Sequence, residues 1–424
     1  MVNKSYKWWM LALLSAAFFF HQADRALFGL LTIPIQRELG LTDGEIGWIN
    51  TALSWTLAAM AFVAGPVGDR FSRKWIITVS LMAWSLMTMA MGFVGAWTVC
   101  GFVIPAFFVV MFFRSIATGV GESFYGPCYP PLIATFHRET RSLALSIHQG
   151  ALYFGLMSSG IIVAVALLAF GGWRQVFVAF GAAGFLLGIS FIWLLKDAEK
   201  PAGAAAERPR LVEGFAYFFR CPSAWCAMSG FIAIVFVNNA YLFWAPKFMS
   251  EKFGVSVADA GAQTMLWHHL FAFAAILAGG VVTDRFVRRM PRFRLGFQIV
   301  ALLAGAPCLL LTGFAGSAWA MVAMSALYGV FRGCFEVNTH ASLFDVIPNA
   351  CRSTAVGLFT VFAFFFGGLS GVVMGKLSES FGVRGFEIGF ALMGATYAVA
   401  AFVMMVSFFL TFRKDRVSDG ANMV

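Results

Sequence analysis

The chain has 424 residues, of which 60% are hydrophobic, 17% aromatic and only 12% charged. A soluble domain carries roughly twice that share of charge, so the composition excludes a soluble globular protein and points to a membrane protein. The formal charge of +10 would suit nucleic acid only if the basic residues formed a patch, and they are instead spread between apolar runs.

A bilayer crossing takes about 20 mostly apolar residues. Such runs lie near 8 to 36, 45 to 68, 75 to 97, 101 to 130, 141 to 170, 174 to 195, 224 to 249, 264 to 283, 295 to 314, 317 to 344, 353 to 378 and 386 to 412. They predict an all-α membrane protein with twelve transmembrane helices. With the first end placed inside, 21 of the 30 lysines and arginines fall in inner loops and tails. Only Arg37, Arg174, Lys247, Lys252, Lys376 and Arg384 fall in outer loops. The positive-inside rule then puts both termini in the cytoplasm. Arg25, Arg114 and Arg332 remain, each within an apolar run.

The first run follows Lys4 and Lys7 and continues to about Gln36, too long for a signal-peptide core, so it reads as an uncleaved helix. His21, Asp24 and Arg25 share one face of it. Ionisable groups at membrane depth cost a few kcal/mol and mark function by default. An internal ion pair holding this helix to its neighbour is the other reading, and the residues alone leave both open.

The second run ends in GPVGDRFSRK, Gly65 to Lys74. The pattern returns 215 positions later (284 minus 69) as GVVTDRFVRR, with Gly280, Asp284, Arg285, Arg288 and Arg289 in the same register as Gly65, Asp69, Arg70, Arg73 and Lys74. The basic residues stop translocation. Gly65 and Asp69 ask for more: glycine permits close helix approach, and a carboxylate at a helix end can face the positive end of a neighbour.

In the fourth run Arg114, Thr118 and Glu122 recur every fourth residue, which separates Arg114 from Glu122 by about 12 Å along a helix axis. Arg114 therefore needs another anion, and Asp24 or a substrate carboxylate or phosphate suits its forked guanidinium. Glu122 is left to titrate, its neutral form favoured by removal from water.

The polar stretch KDAEKPAGAAAERPR, Lys196 to Arg210, divides the runs six and six. Two further repeats support a duplication: Arg141-Ser142 is answered by Arg352-Ser353, and Gly172-Trp173-Arg174 by Gly382-Val383-Arg384, at offsets of 211 and 210. Parallel six-helix repeats belong to two-domain transporters.

The tenth run carries Arg332, Glu336 and His340 four apart, with Asn338 beside them. An arginine and a glutamate at that spacing can close on each other. Asn238, Asn239, His148, Gln149, His268 and His269 are polar groups in crossings that can bond between helices. Of these, Gln149 and Asn239 read as pocket linings. Tyr125, Tyr153, Tyr241 and Trp267 can wall a pocket, whereas most aromatics face lipid or pack helices. Gly367, Gly371 and Gly375, like Gly150, Gly155 and Gly160, form small-residue faces suited to close crossing.

The doubled motif and the six-plus-six layout make the chain resemble the major facilitator superfamily over its whole length. The resemblance implies an N-terminal bundle over 1–195, a cytoplasmic linker over 196–223, a C-terminal bundle over 224–413 and a tail over 414–424, the bundles rocking about a central site. It also implies that Asp69 latches the second helix to the eleventh on the cytoplasmic side. Asp24-Arg25 and the GVGES segment, Gly119 to Ser123, are similar to the anion:cation symporter and spinster-like branches. Arg114 departs from them, standing one residue further from Glu122.

No phosphate-binding loop, nucleophile elbow or HExxH helix is present, and the seven cysteines are scattered without metal or disulfide spacing. The sequence reading is thus a monomeric, non-enzymatic, cofactor-free transporter of a bacterial inner membrane, moving a small organic anion by proton symport. Asp24 and Glu122 are the proton-coupling candidates. His21, Arg25, Arg114, Tyr125, Gln149, Tyr153, Asn239, Trp267, Arg332 and Glu336 are the substrate-binding candidates. Transport of lysolipids or other amphipathic molecules, and ligand sensing without transport, are the alternatives.

Overall fold

The computed structural model describes residues 4–99, 101–137, 139–197, 211–287, 289–348 and 351–417. Most of the polar linker thus lies outside the described residues. The helices are α1 Lys4–Leu30, α2 Thr32–Leu39, α3 Asp43–Arg70, α4 Arg73–Met91, α5 Ala106–Phe136, α6 Arg141–Phe170 and α7 Trp173–Leu194. There follow α8 Leu211–Arg220, α9 Pro222–Phe253, α10 Val257–Val287, α11 Phe293–Gly313, α12 Ala318–Phe344, α13 Thr354–Phe381 and α14 Val383–Asp415. One hairpin, β1 Trp97–Val99 with β2 Phe102–Ile104, turns through Gly101 at φ 85°, a left-handed conformation that glycine adopts without a side-chain clash.

Among the described residues, eleven helices are long and apolar enough to cross a membrane. They are α3 to α7 and α9 to α14. With no water at membrane depth, a helix satisfies its backbone internally, which is why the apolar runs take this form. α1 has 27 residues and is long enough, but His21, Gln22, Asp24 and Arg25 interrupt its apolar run. The polar groups of greatest interest are those that remove it from the tally.

Local sequence sets the ends. Thr42 and Glu45 form a reciprocal capping box at the start of α3, with Thr42 N to Glu45 Oε2 at 2.8 Å and Glu45 N to Thr42 Oγ1 at 3.2 Å; this satisfies two otherwise orphaned amides. The first basic motif spans the junction, with Gly65 to Arg70 in the last turns of α3 and Arg73 and Lys74 opening α4, which Ser72 caps through Trp75 N at 3.3 Å.

Contacts divide the chain into two compact units. The first holds Met1–Lys200, Ala240–Leu266 and Gly371–Ser380; the second holds Pro201–Asn239, Trp267–Ser370 and Phe381–Val424. In the first, α1 lies along α6 and α4 along α7. In the second, α11 packs on both α12 and α14. The first unit's core gathers Leu14, Phe18, Trp84, Tyr125 and Phe191. Large apolar side chains such as Phe62, Phe154, Leu168 and Trp193 are exposed, as lipid-facing surfaces require.

α3 and α13 meet backbone to backbone. A Cβ on Gly47 would stand 2.5 Å from Gly371 O, and one on Gly371 would stand 2.7 Å from Gly47 O. Gly371 thus makes the close crossing expected of its small-residue face. Gly65 does not: a Cβ there would meet nothing within 4 Å, so close packing is not why that motif begins with glycine.

Candidate functional site: a buried charge cluster in the first unit

α1 presents His21, Asp24 and Arg25 to α4 and α5. Glu122 Oε2 lies 3.3 Å from His21 Nε2 and 3.7 Å from Arg25 Nε. The expectation that Glu122 stands without a basic partner is corrected by this geometry, because two basic side chains on the neighbouring helix reach it. Neither carboxylate oxygen makes an aligned hydrogen bond, so the attraction is one of charge and proximity. With the Gln22 amide donating to His21 Nδ1 at 3.0 Å, Nε2 is the nitrogen that turns a proton toward Glu122.

Asp24 has a different neighbour. Thr88 Oγ1 on α4 contacts Asp24 Oδ1 and Oδ2 at 3.0 and 2.9 Å, a hydroxyl facing both oxygens of a carboxylate that is 5% exposed. Arg114 donates from Nη2 to the Arg25 carbonyl at 3.1 Å and lies over the Phe28 ring at 5.6 Å. Its Nη1 is buried and has no hydrogen-bond partner among the described residues. A buried donor left this way costs about 1–3 kcal/mol, and an incoming oxygen would satisfy it.

α5 is not a regular helix here. Met111–Ala117 forms a π turn, which accommodates one extra residue per turn. The departure noted in the sequence, one residue too many between Arg114 and Glu122, therefore has a physical account: the π turn absorbs it. Thr118 marks the spot by donating to Phe113 O at 2.7 Å.

Below this cluster is an aromatic stack. Tyr125 donates to Leu14 O at 2.8 Å, so it receives a hydrogen bond from His148 Nε2 at 3.0 Å. The His148 ring packs against both Phe18, at 4.5 Å, and Tyr129, at 4.0 Å, which also touch each other at 5.5 Å. Tyr153 is buried on α6, whereas Gln149 of the same helix is exposed.

In the second unit Arg332 Nη2 meets Glu336 Oε1 at 3.1 Å, the closure expected of their spacing. His268 on α10 adds a contact to Arg332 Nη1 at 3.0 Å. Asn338 donates to Thr283 Oγ1 at 3.0 Å. Asn239 is half-buried on α9, and Trp267 lines an apolar hollow with Phe271, Trp319 and Val322.

One cluster has no counterpart among the sequence candidates. Lys247 was expected in an outer loop, yet it sits within α9, 5% exposed. It contacts Asp43 Oδ1 of α3, Gln36 Oε1 of α2 at 2.6 Å and Glu251 Oε1 at 3.4 Å. Asp43 also accepts from Ser378 of α13 and from Gln36 Nε2 at 2.7 Å. The available signal was a lysine close behind Trp244 near the end of an apolar run, a charge that needs a partner.

Of the basic motifs, Arg70, Asp284, Arg285 and Arg289 are exposed, and Arg73, Lys74 and Gly280 are half-buried. Lys74 donates to Ile192 O at 2.7 Å. The Asp69 side chain and all of Arg288 lie outside the described residues.

Comparison with known proteins decides the family. The family model of the Major Facilitator Superfamily matches residues 13–307. The chain belongs to the major facilitator superfamily. A Bacillus subtilis (strain 168) protein described as the probable galactarate/D-glucarate transporter GudP is 24% identical over 427 residues, covering 95% of this chain and 92% of its own. The D-galactonate transporter of Escherichia coli O6:H1 (strain CFT073) is 23% identical, covering 85% and 86%. In structure, an inward-facing, unoccupied bacterial homologue of the human lysosomal transporter Spinster matches at a TM-score of 0.84 and 20% identity, over 98% of this chain and 100% of that one. That likeness is one of fold. Superfamily membership and the apolar helices make this a multi-pass membrane transport protein.

Proposed function

We propose that the protein is a secondary active transporter that moves a small organic anion, a sugar acid or similar carboxylate or phosphate, in symport with protons through alternating access. The observation that carries this reading is the buried cluster of Asp24, Glu122, Arg25, Arg114 and His21 on α1 and α5. Of its two guanidinium groups, that of Arg25 lies 3.7 Å from Glu122 and that of Arg114 keeps a buried Nη1 without a hydrogen-bond partner among the described residues. Asp24 and Glu122 are carboxylates that protons can neutralise. When Asp24 or Glu122 takes a proton, an arginine loses its counter-charge, and a substrate anion supplies it. Proton and substrate then bind cooperatively, each raising the affinity for the other. Sugar-acid names among the relatives favour the same chemical class.

In this reading the twelve helices form two six-helix bundles over 1–195 and 224–413, with both termini in the cytoplasm of a bacterial cell and α1 as the twelfth crossing. The excess of inner basic residues supports that orientation. Asp69 and the basic residues of both motifs act as the cytoplasmic latch, and Asp69→Asn shifts accessibility inward; unchanged labelling of engineered cysteines from the two sides would count against it.

The test is a thermal-shift screen of purified protein against galactarate, D-glucarate, D-galactonate, a hexose phosphate, an amino-acid derivative and a lysolipid, at acid and neutral pH. Uptake into proteoliposomes follows. Stabilisation by sugar acids together with accumulation on a pH gradient supports the proposal. Stabilisation by the lysolipid alone replaces it with amphipath transport, and binding without accumulation under any gradient replaces it with sensing.

A further inference from the structure

In the second unit, α10 and α12 bring His268 against Arg332. His268 Nδ1 is 3.0 Å from the Ser325 carbonyl oxygen, which can only accept, so Nδ1 carries the ring proton. Nε2 then offers a lone pair, and 3.0 Å away is Arg332 Nη1, which can only donate. The neutral imidazole therefore acts as a strut, anchored to the backbone of α12 at one nitrogen and holding the guanidinium at the other.

The strut has little freedom. His268 is 0% exposed and stacks on Tyr328 with ring centroids 4.9 Å apart and an angle of 20°. Tyr328 OH is in turn 3.2 Å from Tyr397 OH on α14. A Cβ on Gly329 would lie 3.2 Å from His268 C and 3.3 Å from His268 Nδ1, so α10 and α12 touch at this level. On the other side of the guanidinium, Arg332 Nη2 reaches Glu336 Oε1. The Arg332 side chain is 3% exposed while that of Glu336 is 26% exposed, so the arginine is held between His268 and Glu336 and the carboxylate is the more open member of the pair.

We infer that His268 is a positioning residue for anion recognition: in its Nδ1-protonated neutral form it orients Arg332 so that a substrate carboxylate can take the place of Glu336. The inference rests on the reading of Arg332 as an anion partner. A proton on Nε2 would turn an N–H toward the N–H of Arg332 and break the strut. Besides Arg332, the ring packs against the titratable groups of His269 on α10 and Tyr328 on α12, and neither is an acid that would favour that proton.

The experiment uses the full chain in proteoliposomes with galactarate and D-galactonate as probes. His268→Phe keeps the ring shape and removes both bonds; the expected result is a KM raised about 10- to 100-fold, the range of a lost hydrogen bond to a charged group, with little change in maximal rate. His268→Gln, whose amide oxygen can reach the place of Nε2, restores most of the loss. In an Arg332→Gln background, His268→Phe has no further effect. An unchanged KM in His268→Phe, or losses that multiply in the double variant, overturns the inference. If the wild type transports neither probe, the anion reading itself fails. The strut is then read by a thermal-unfolding cycle on the wild type, His268→Phe, Arg332→Gln and the double variant, where coupling between the two sites sustains it and additivity removes it.

Discussion

Glu122 Oε2 lies within 4 Å of both His21 Nε2 and Arg25 Nε, which ties one carboxylate on α5 to two basic groups on α1. Asp24, one residue before Arg25, turns instead to Thr88 of α4. Two acids on facing helices are thus held by different chemistry, Glu122 by charge and Asp24 by a hydroxyl, and are therefore separable by substitution.

Glu122→Gln keeps the shape and removes the charge. The expected outcome is loss of substrate accumulation on a pH gradient, with exchange of labelled for unlabelled substrate across the membrane retained. Counterflow and gradient-driven uptake in proteoliposomes measure the two separately. Continued concentration of substrate by this variant would remove Glu122 from the proton path.

Glu38, at the end of α2, accepts from Arg174 Nε at 2.7 Å and from Trp173 Nε1 at 2.6 Å. The Arg174 bond holds its carboxyl below the ordinary value of 4.5 against slight desolvation, and the Trp173 bond adds to the effect. A depressed carboxyl contributes stability that is present above its unfolded value and lost as pH falls through the folded one. Glu38→Gln is therefore expected to lower the melting temperature at neutral pH by about 1–3 °C, the small effect of an exposed pair. The gap to wild type should narrow as pH falls below the ordinary carboxyl value of 4.5 and close as it passes the depressed one. Melting curves across that range check it, and a gap independent of pH would contradict the ionic account.

How far the sequence reaches can be judged at particular residues. The helices were legible because a bilayer forces long apolar runs into one form, and Arg332–Glu336 because a spacing of four is a contact on any regular helix. The pairing of Glu122 was not, since spacing along one helix of regular turns says nothing of the side chains that a second helix brings to it. The π turn at Met111–Ala117 and the approach of α1 lie beyond periodicity. Thr88 is 64 residues from Asp24, and Lys247 is 204 from Asp43; no local pattern encodes such pairs. The repeat extends to the charge clusters. Glu336 follows Glu122 by 214 (336 minus 122), almost the motif offset of 215, and each acid meets a basic group in its own unit.

The glycine seam between α3 and α13 gives a prediction with an internal control. Gly47→Ala and Gly371→Ala each press a methyl against backbone that cannot rotate away, and overpacking of this kind costs about 1–3 kcal/mol. Each should lower the melting temperature by several degrees, and the double variant should lose less than the sum because one displaced seam serves both. Gly65→Ala, with open space around it, should be neutral or slightly stabilising, since alanine is the better helix former by about 0.5–1 kcal/mol. Equal losses at all three positions would show that packing at the seam is not the cause.

Lys247 and Asp43 are the ionic complement of that seam. Lys247 meets Asp43 and Gln36, and Ser378 of α13 donates to the same aspartate. Thr51 and Val372 join α3 to α13 nearby, with Val372 N to Thr51 Oγ1 at 3.1 Å. Removing one member of a buried ion pair leaves the other uncompensated, typically at a cost of about 3–5 kcal/mol. A transporter that works by alternating access escapes that cost by populating the state in which the seam is parted and Asp43 is hydrated. Lys247→Met should therefore expose Thr51, which is 0% exposed in the sealed form. With the native cysteines replaced and Thr51→Cys introduced, a membrane-impermeant maleimide should react slowly in the parent and at least about tenfold faster after Lys247→Met, a shift of about 1.4 kcal/mol in the opening equilibrium. Exchanging the pair, Asp43→Lys with Lys247→Asp, should slow it again. Equal reactivity in parent and Lys247→Met would show that the pair only fills space at that end of the molecule and does not set how often the seam opens.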